Sequence, residues 1–353
     1  SFVMALIALV FAVILVYVFL PIFSDFTDKE LSFNLIRHPE YIIGLLGLAL
    51  FVGLISGSYP ALFLSGFTPS KVLKGIFKAG SGHKQFRSVL VTGQFAISVM
   101  LIVAVLVVIN QLNFMQSKDL GFKKDDLVVL PASARLTENY QILKDRLENH
   151  PGIQAVSISS RVPSGRLLDS QGASAEVNGE LSPINVRIAD IHVAHNFIQT
   201  FGIPIIAGRN FDFLQATDST EAFVLNEAAI RAIGWPSPED AIGKQFTYGG
   251  RKGYVTGVMK DFHFESLHQQ ITPMIFLQRR NNYNALSVNI STAEMKEGLE
   301  HLEKIWKSFL PARPFDYQFV SERYRNLYAL EQKQSQLFTV FAGLAIFIAS
   351  LGL

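Results

Sequence analysis

The sequence predicts a membrane α-helical bundle joined to an α+β extracytoplasmic domain. Three observations carry this. Residues 89–109 and 336–353 are long, nearly uncharged apolar runs, close to the roughly 20 residues a helix needs to cross a bilayer. Between them lies a water-compatible stretch of roughly 220 residues. Near its start and again near its end, that stretch shows the same order of strand, amphipathic helix and strand.

Composition narrows the function classes. Of 353 residues, 49% are hydrophobic and the formal net charge is +2. That average mixes extreme apolar windows with an ordinary globular middle, and so small a net charge gives no global field for nucleic acid. Cysteine is absent, which excludes disulfides, thiolate metal sites and a cysteine nucleophile. A middle segment of this size buries a core without such staples. No basic leader or small-residue cleavage site is present. The chain opens in an apolar run, Phe2 to Leu20, and closes in another at Leu353, so it reads as an internal piece of a longer protein.

Four membrane spans are expected: 1–20, ended by Pro21; 41–66; 88–114; and the start of a fourth at 335–353. Residues 21–40 form a short loop of mixed charge. The 67–87 loop carries Lys71, Lys74, Lys78, Lys84 and Arg87 with no acid, which places it in the cytoplasm. Alternation then sets 21–40 and the domain 115–334 outside. The spans contain Gly44, Gly47, Gly53, Gly57, Pro60, Gly93, Gln94 and Ser98, residue types that let helices approach closely in lipid. None carries a deep Asp, Glu, Lys, Arg or His, which argues against a self-powered carrier with a charged path.

The outer domain divides into two lobes. Strands at 127–132 and 153–159 flank a helix at 138–149, stopped by Pro151-Gly152; strands at 285–291 and 315–320 flank a helix at 293–310, broken by Pro311 and Pro314. These two βαβ units predict a split ferredoxin-like lobe, 115–160 with 276–320. The insert, 161–275, is a mainly-β lobe with strands at 185–191, 244–248, 253–262 and 274–278 and short helices near 194–201 and 226–233. A polar, helix-favouring stalk, 321–334, then leads into the last span and is expected to continue into it unbroken.

Few residues look chemical. Asp261, His263 and Glu265 would share one face of a strand and, with His268, resemble a metal cluster. The spacing matches no standard zinc signature, and the simpler reading has Phe262 and Phe264 inward with the polar residues in water. His192 and His195 read as a strand-to-helix junction, with Asn196 or His195 capping the helix, in preference to a ligand pair. Ser164-Gly165 lacks the nucleophile elbow, and no phosphate-binding glycine loop is present. Gly249-Gly250 is a tight turn. The basic loop is an orientation signal and lipid-headgroup contact in preference to a dedicated cytoplasmic docking site.

The motif SGSYPALFLSGFTPSKVLKG, residues 56–75, resembles the membrane-exit motif of FtsX-like permeases, the MacB-type ABC transporter family. In that family a Tyr-Pro-Ala element ends a helix and a Pro-x-x-x-Leu-Lys segment follows it. Here those are Tyr59, Pro60 and Ala61, then Pro69, Leu73 and Lys74. The outer domain resembles the family's periplasmic core in FIQTFGIPIIAGRNF with Gly208 and Arg209, FVLNEAAIRAIGW with Asn226 and Glu227, AIGKQF with Gly243 and Lys244, and YVTGVMKDFHFESLHQQITPMIF with Asp261 and His263. Residues 315–353 resemble the re-entry segment of one branch.

The resemblance implies a fragment of an eight-helix member holding the second periplasmic core domain. It implies a bacterial inner-membrane permease subunit, multi-pass and not an enzyme. A cytoplasmic ABC ATPase would bind the ATP, and this chain would hold no cofactor or metal. A second permease copy, identical or paralogous, and membrane lipid would be the other partners. ATP-driven closure would reach the outer domain through the helices, serving export or extraction of a peptide, lipoprotein or toxic compound. Glu322, Arg323, Tyr324, Arg325 and Glu331 would form the stalk, and the main ATPase-docking loops would fall outside residues 1–353. Two other readings stand beside this one. One is a membrane-anchored sensor signalling through its helices. The other is a tethered metal hydrolase using His263 and His268.

Overall fold

A computed structural model describes residues 2–27, 30–35, 37–65, 81–279 and 282–351. The chain divides into two units, Ser1–Ile109 with Glu331–Leu353, and Asn110–Leu330.

The first unit is helical. Three helices among the described residues are long and apolar enough to span a membrane, over Phe2–Phe26, Pro39–Ser58 and Val91–Ser117. Their apolar side chains point outward all round, as at Val10, Phe11, Ile43, Phe51 and Met100, which suits lipid and not water. The sequence ends the first span at Pro21, whereas the helix Phe2–Thr27 runs through it. Proline costs one backbone hydrogen bond, a defect that spans of this kind tolerate. The second helix, Pro39–Ser65, likewise continues past Tyr59 and Pro60, which do not end it. The third begins at Ser81, earlier than residue 88, and reaches Ser117, because Lys84, Gln85 and Arg87 favour helix. The fourth expected span lies in the helix Ala329–Leu351, which is not among the three above. Pro69, Leu73 and Lys74 lie outside the described residues. Close approach is visible at Gly53, where an added Cβ would stand 2.9 Å from the Phe2 ring. Ser98 Oγ donates to Gln94 O at 2.9 Å and faces Ala345 O at 3.5 Å.

In the second unit, the lobe built from the domain's ends has a four-stranded antiparallel sheet. Its strands are β1 (Leu127–Pro131), β2 (Ile153–Ser159), β11 (Ala285–Ile290) and β12 (Gln318–Phe319), in the order β12-β1-β11-β2. That is the ferredoxin-like arrangement the two βαβ units predict. Helices Tyr140–Glu148 and Met295–Phe309 cover one face, burying Leu143, Leu147, Leu302 and Trp306 against Val128, Val156 and Val288. The opposite face carries Ser157, Ser287 and Asn289, all buried. These short side chains admit the helix Phe197–Phe201 of the insert, and Asn289 donates to Thr200 O at 3.3 Å. β12 pairs only at Phe319 and Gln318, shorter than the expected 315–320. Phe315 instead turns its ring to Trp306, centroids 6.3 Å apart.

The inserted lobe is one eight-stranded mixed sheet. Its strands are β3 (Ala173–Val177), β4 (Glu180–Ile184), β5 (Ala189–His192), β6 (Ile205–Gly208), β7 (Ala222–Asn226), β8 (Gln245–Tyr248), β9 (Arg251–Met259) and β10 (Met274–Leu277). The order is β4-β3-β8-β9-β7-β10-β5, with β6 on β9; the pairs β5–β10 and β7–β9 are parallel. Phe223, Phe246, Trp235, Val255 and Ile275 form its core. A lobe boundary at 275/276 would cut β10, so the insert extends through Leu277. The strand expected over 253–262 stops at Met259, one residue before Lys260 N donates to Pro204 O at 2.8 Å at the end of the β6–β9 pairing. The glycines at 249 and 250, φ +54° and +82°, close the β8–β9 hairpin as expected.

Candidate functional site

The residues that matter most follow β9. Segment 260–273 has no regular structure, yet both ends of the outer domain are fastened to it. On the outgoing side, just after the helix Ser81–Ser117, Leu120 O accepts from His263 N at 2.9 Å. Gly121 sits at φ +82°, and a Cβ there would stand 2.9 Å from both Asp261 O and Phe262 Cβ, so only glycine fits. The Phe122 ring meets those of Phe262 (6.0 Å), Phe201 (6.2 Å) and Tyr324 (6.4 Å). Phe262 and Phe264 are buried.

On the returning side, the stalk docks on the same segment. The helix Val320–Asn326 ends, and Leu327 and Tyr328 form a turn before the helix Ala329–Leu351. The expected unbroken stalk is therefore interrupted, because Tyr328 turns inward. Its hydroxyl accepts from Leu267 N at 2.7 Å, and Tyr324 Oη donates to Glu265 O at 2.9 Å. Both tyrosines are buried, and burial pushes the Tyr324 hydroxyl well above the usual phenol range. Arg323 Nε donates to Ser164 Oγ at 3.2 Å. Glu322 and Arg325 remain at the surface, and Glu331 lies in the helix Ala329–Leu351.

A polar brace ties the segment to the inserted lobe. Asn226 ends β7 and caps the helix Glu227–Ile233: its Oδ1 accepts from Ala229 N (3.1 Å) and Met274 N (2.8 Å), and its Nδ2 donates to Thr272 O (3.0 Å). Glu227 Oε2 accepts from Asp261 N at 2.8 Å. Asp261 answers by accepting from Ala228 N at 2.9 Å and from Arg231 at 2.5 Å. The helix N-terminus and the segment thus satisfy each other's free donors.

Asp261, His263 and Glu265 do not share a strand face. Asp261 serves the brace, and Glu265 Oε1 accepts from Leu167 N at 2.9 Å. His263 is half-buried; burial first, then the charge of Lys118, lowers its pKa against the opposing pull of Asp261. Among the described residues no three His, Asp or Glu side chains stand together to hold a metal. His268 lies against the Tyr328 ring, centroids 5.8 Å apart.

The other motif residues stand elsewhere in the insert. Gly208, at φ +69°, brings the end of β6 so close to β9 that a Cβ would stand 2.3 Å from Thr256 O. Arg209 makes a paired ion bridge to buried Asp218, at 2.6 and 2.8 Å, and Asp218 also accepts from Asp212 N at 2.7 Å. Burial pushes the Asp218 carboxyl up, but the Arg209 hydrogen bonds, the Asp212 amide and the Arg209 charge outweigh it and hold the pKa below the usual range. Gly243 turns the chain at φ +79°, and Lys244 lies over the Trp235 ring at 5.3 Å. His192 and His195 are separated in role: His192 pairs with Asp190, whereas His195 packs on Phe213. Asn196 precedes the helix Phe197–Phe201 without capping it through its side chain. That side chain is engaged by Tyr140 Oη at 2.7 Å and by Val156 O.

Residues 88–301 match the family described as the MacB-like periplasmic core domain. The chain belongs to this family. The MacB-like core is here joined to apolar helices, which makes the chain a membrane-anchored MacB/FtsX-like permease domain. Among solved structures, it is similar to the periplasmic region of MacB from Actinobacillus actinomycetemcomitans, at 14% identity and TM-score 0.40, over 60% of this chain and 97% of that one. It is also similar to the extracellular domain of the noncanonic ABC-type transporter YknZ from Gram-positive bacteria, at 16% identity and TM-score 0.36, over 56% and 99%. No curated protein matches it. Sequence reasoning on the MacB-like core overlooks Gly121 and Tyr328. The signal for Tyr328 is its four-residue spacing from Tyr324, which would stack two large rings on one face of a stalk otherwise too polar to need them.

Proposed function

We propose that this chain is the permease subunit of an ABC transporter and passes movement, driven by a partner's ATP hydrolysis, into its periplasmic core. The observation that carries this reading is the double fastening. Leu120–Phe122 on the outgoing chain and Tyr324 with Tyr328 on the returning chain grip one segment, 261–267, which the Asn226–Glu227–Asp261 brace joins to the inserted lobe. Displacement of either arm would be delivered to the same place, as a lever requires. On this reading the chain is not an enzyme and binds no cofactor, and ATP sits on a cytoplasmic ATPase. A second permease copy completes the pair. The protein is a multi-pass component of the bacterial inner membrane with 67–87 inside. The cargo would be a peptide, lipoprotein or toxic compound. Co-purification of the full-length protein tests this: an ATPase should accompany it and change its turnover when the permease is removed. Absence of any such companion, or substrate turnover by this chain alone, would overturn the reading.

A further inference from the structure

A cavity of about 410 Å³ opens at one end of the mixed sheet, where β5 and β10 run out and the β8–β9 turn begins. Its walls include Asp190, His192, Tyr248, Arg251 and Arg279. Asp190 and His192 are both buried, with Oδ2 and Nε2 3.2 Å apart. Tyr248 Oη lies 3.2 Å from Asp190 Oδ1 and donates to Ile188 O at 2.7 Å. Asp190 is thus already engaged: burial pushes its carboxyl up, but His192 and Tyr248 outweigh that and hold its pKa down.

The two arginines are not so engaged. Arg251 is fixed by backbone carbonyls, with Nη1 to Gln278 O at 2.8 Å, and its guanidinium lies over the Phe223 ring at 5.2 Å. Its Nε is buried without a hydrogen-bond partner. Burial, and then the nearby charge of Arg279, depress its pKa against a weaker pull from Glu221. Among the described residues neither Arg251 nor Arg279 forms an ion pair with a carboxylate. Two mutually repelling guanidiniums, one rigidly held, therefore share a concave wall with one carboxylate, Asp190, which lies against His192 and Tyr248. Planar guanidinium forks match carboxylate and phosphate oxygens, and a cavity of this volume suits a small organic molecule.

We propose that this cavity binds a small organic anion, its carboxylate or phosphate group held between Arg251 and Arg279. This goes beyond the coupling reading and needs no nucleotide, so the two fail separately. Calorimetry on the full chain in detergent at pH 7 tests it, with glucose 6-phosphate, N-acetylalanine and N-acetylalanine amide as probes. The expected result is saturable binding of at least one anion with Kd near or below about 1 mM and none of the amide. Which anion binds identifies the group, phosphate or carboxylate. Arg279→Gln, at an exposed position, should leave the fold intact and weaken binding about tenfold. Arg251→Lys, with melting as a folding control, should also weaken it, because a single ammonium lacks the fork. Failure of both anions to saturate, equal binding of the amide, or affinity unchanged in Arg279→Gln would overturn the proposal.

Discussion

The two lobes of the periplasmic core are held by different means. The lobe made from the domain's ends is a periodic object: two amphipathic helices lay leucines and Trp306 on alternating strand residues. The inserted lobe has a core of its own, but its loops are pinned by polar clamps at single residues, namely Asn226, Asp261 and the Arg209–Asp218 pair. Periodic packing spreads its energy over many contacts. A clamp concentrates it where one substitution strands several buried groups.

That contrast makes ordered claims. The largest effect should come from the periodic lobe: Trp306→Ala, at a fully buried position, should cost about 3–5 kcal/mol by the combined loss of transfer energy and the cavity left, read as a lowered midpoint in urea unfolding. Next is Asn226→Ala, which frees the amides of Ala229 and Met274 and the carbonyl of Thr272. Its expected cost is about 2–4 kcal/mol from a lost cap and unsatisfied buried groups. Hydrogen exchange should then quicken at 227–230 and 272–274 while β1 and β11 stay protected. Uniform exchange across both lobes would break the contrast.

These two tests also mark what the sequence makes legible. Period 3.6 and period 2 are readable, so the split βαβ lobe follows from residues 127–159 and 285–320. The insert is harder because its decisive contacts join residues distant in sequence, such as Asn226 to Met274 or Gly121 to Asp261. A local signal does exist in the insert: Asn178-Gly179, both at positive φ, turns β3 into β4, a dipeptide suited to a two-residue hairpin. Segment 261–265 alternates like a strand in sequence only. The side chains of Asp261 and Glu265 are drawn to separate partners at Ala228 and Leu167, and the backbone of His263 to Leu120.

A pH test sharpens the comparison further. Asp218 has a folded pKa below its unfolded value, about 3.9, so its contribution is complete above that value and is lost as pH falls through the depressed folded pKa. Asp218→Asn should flatten the acid limb of the insert's stability below about pH 4 and leave the β1–β11 lobe unchanged. The smallest effect should be Lys307→Ala. Its partner Glu303 lies on an exposed helix face, where such pairs contribute about 0.3–0.5 kcal/mol. Any shift much above that in melting would show that the helix surface carries more than solvation.

The central claim is that the returning arm transmits motion through two buried hydroxyls to segment 261–267. Tyr324→Phe with Tyr328→Phe removes those hydroxyls and keeps the rings. On the proposed coupling to a partner ATPase, the direct measurement is ATP-driven output of the permease reconstituted with that ATPase, compared with the partner's basal hydrolysis rate and the melting of this chain's core. The account predicts output reduced about tenfold or more, with basal hydrolysis intact and a stability loss of only about 1–2 kcal/mol. Wild-type output from the double variant would contradict it.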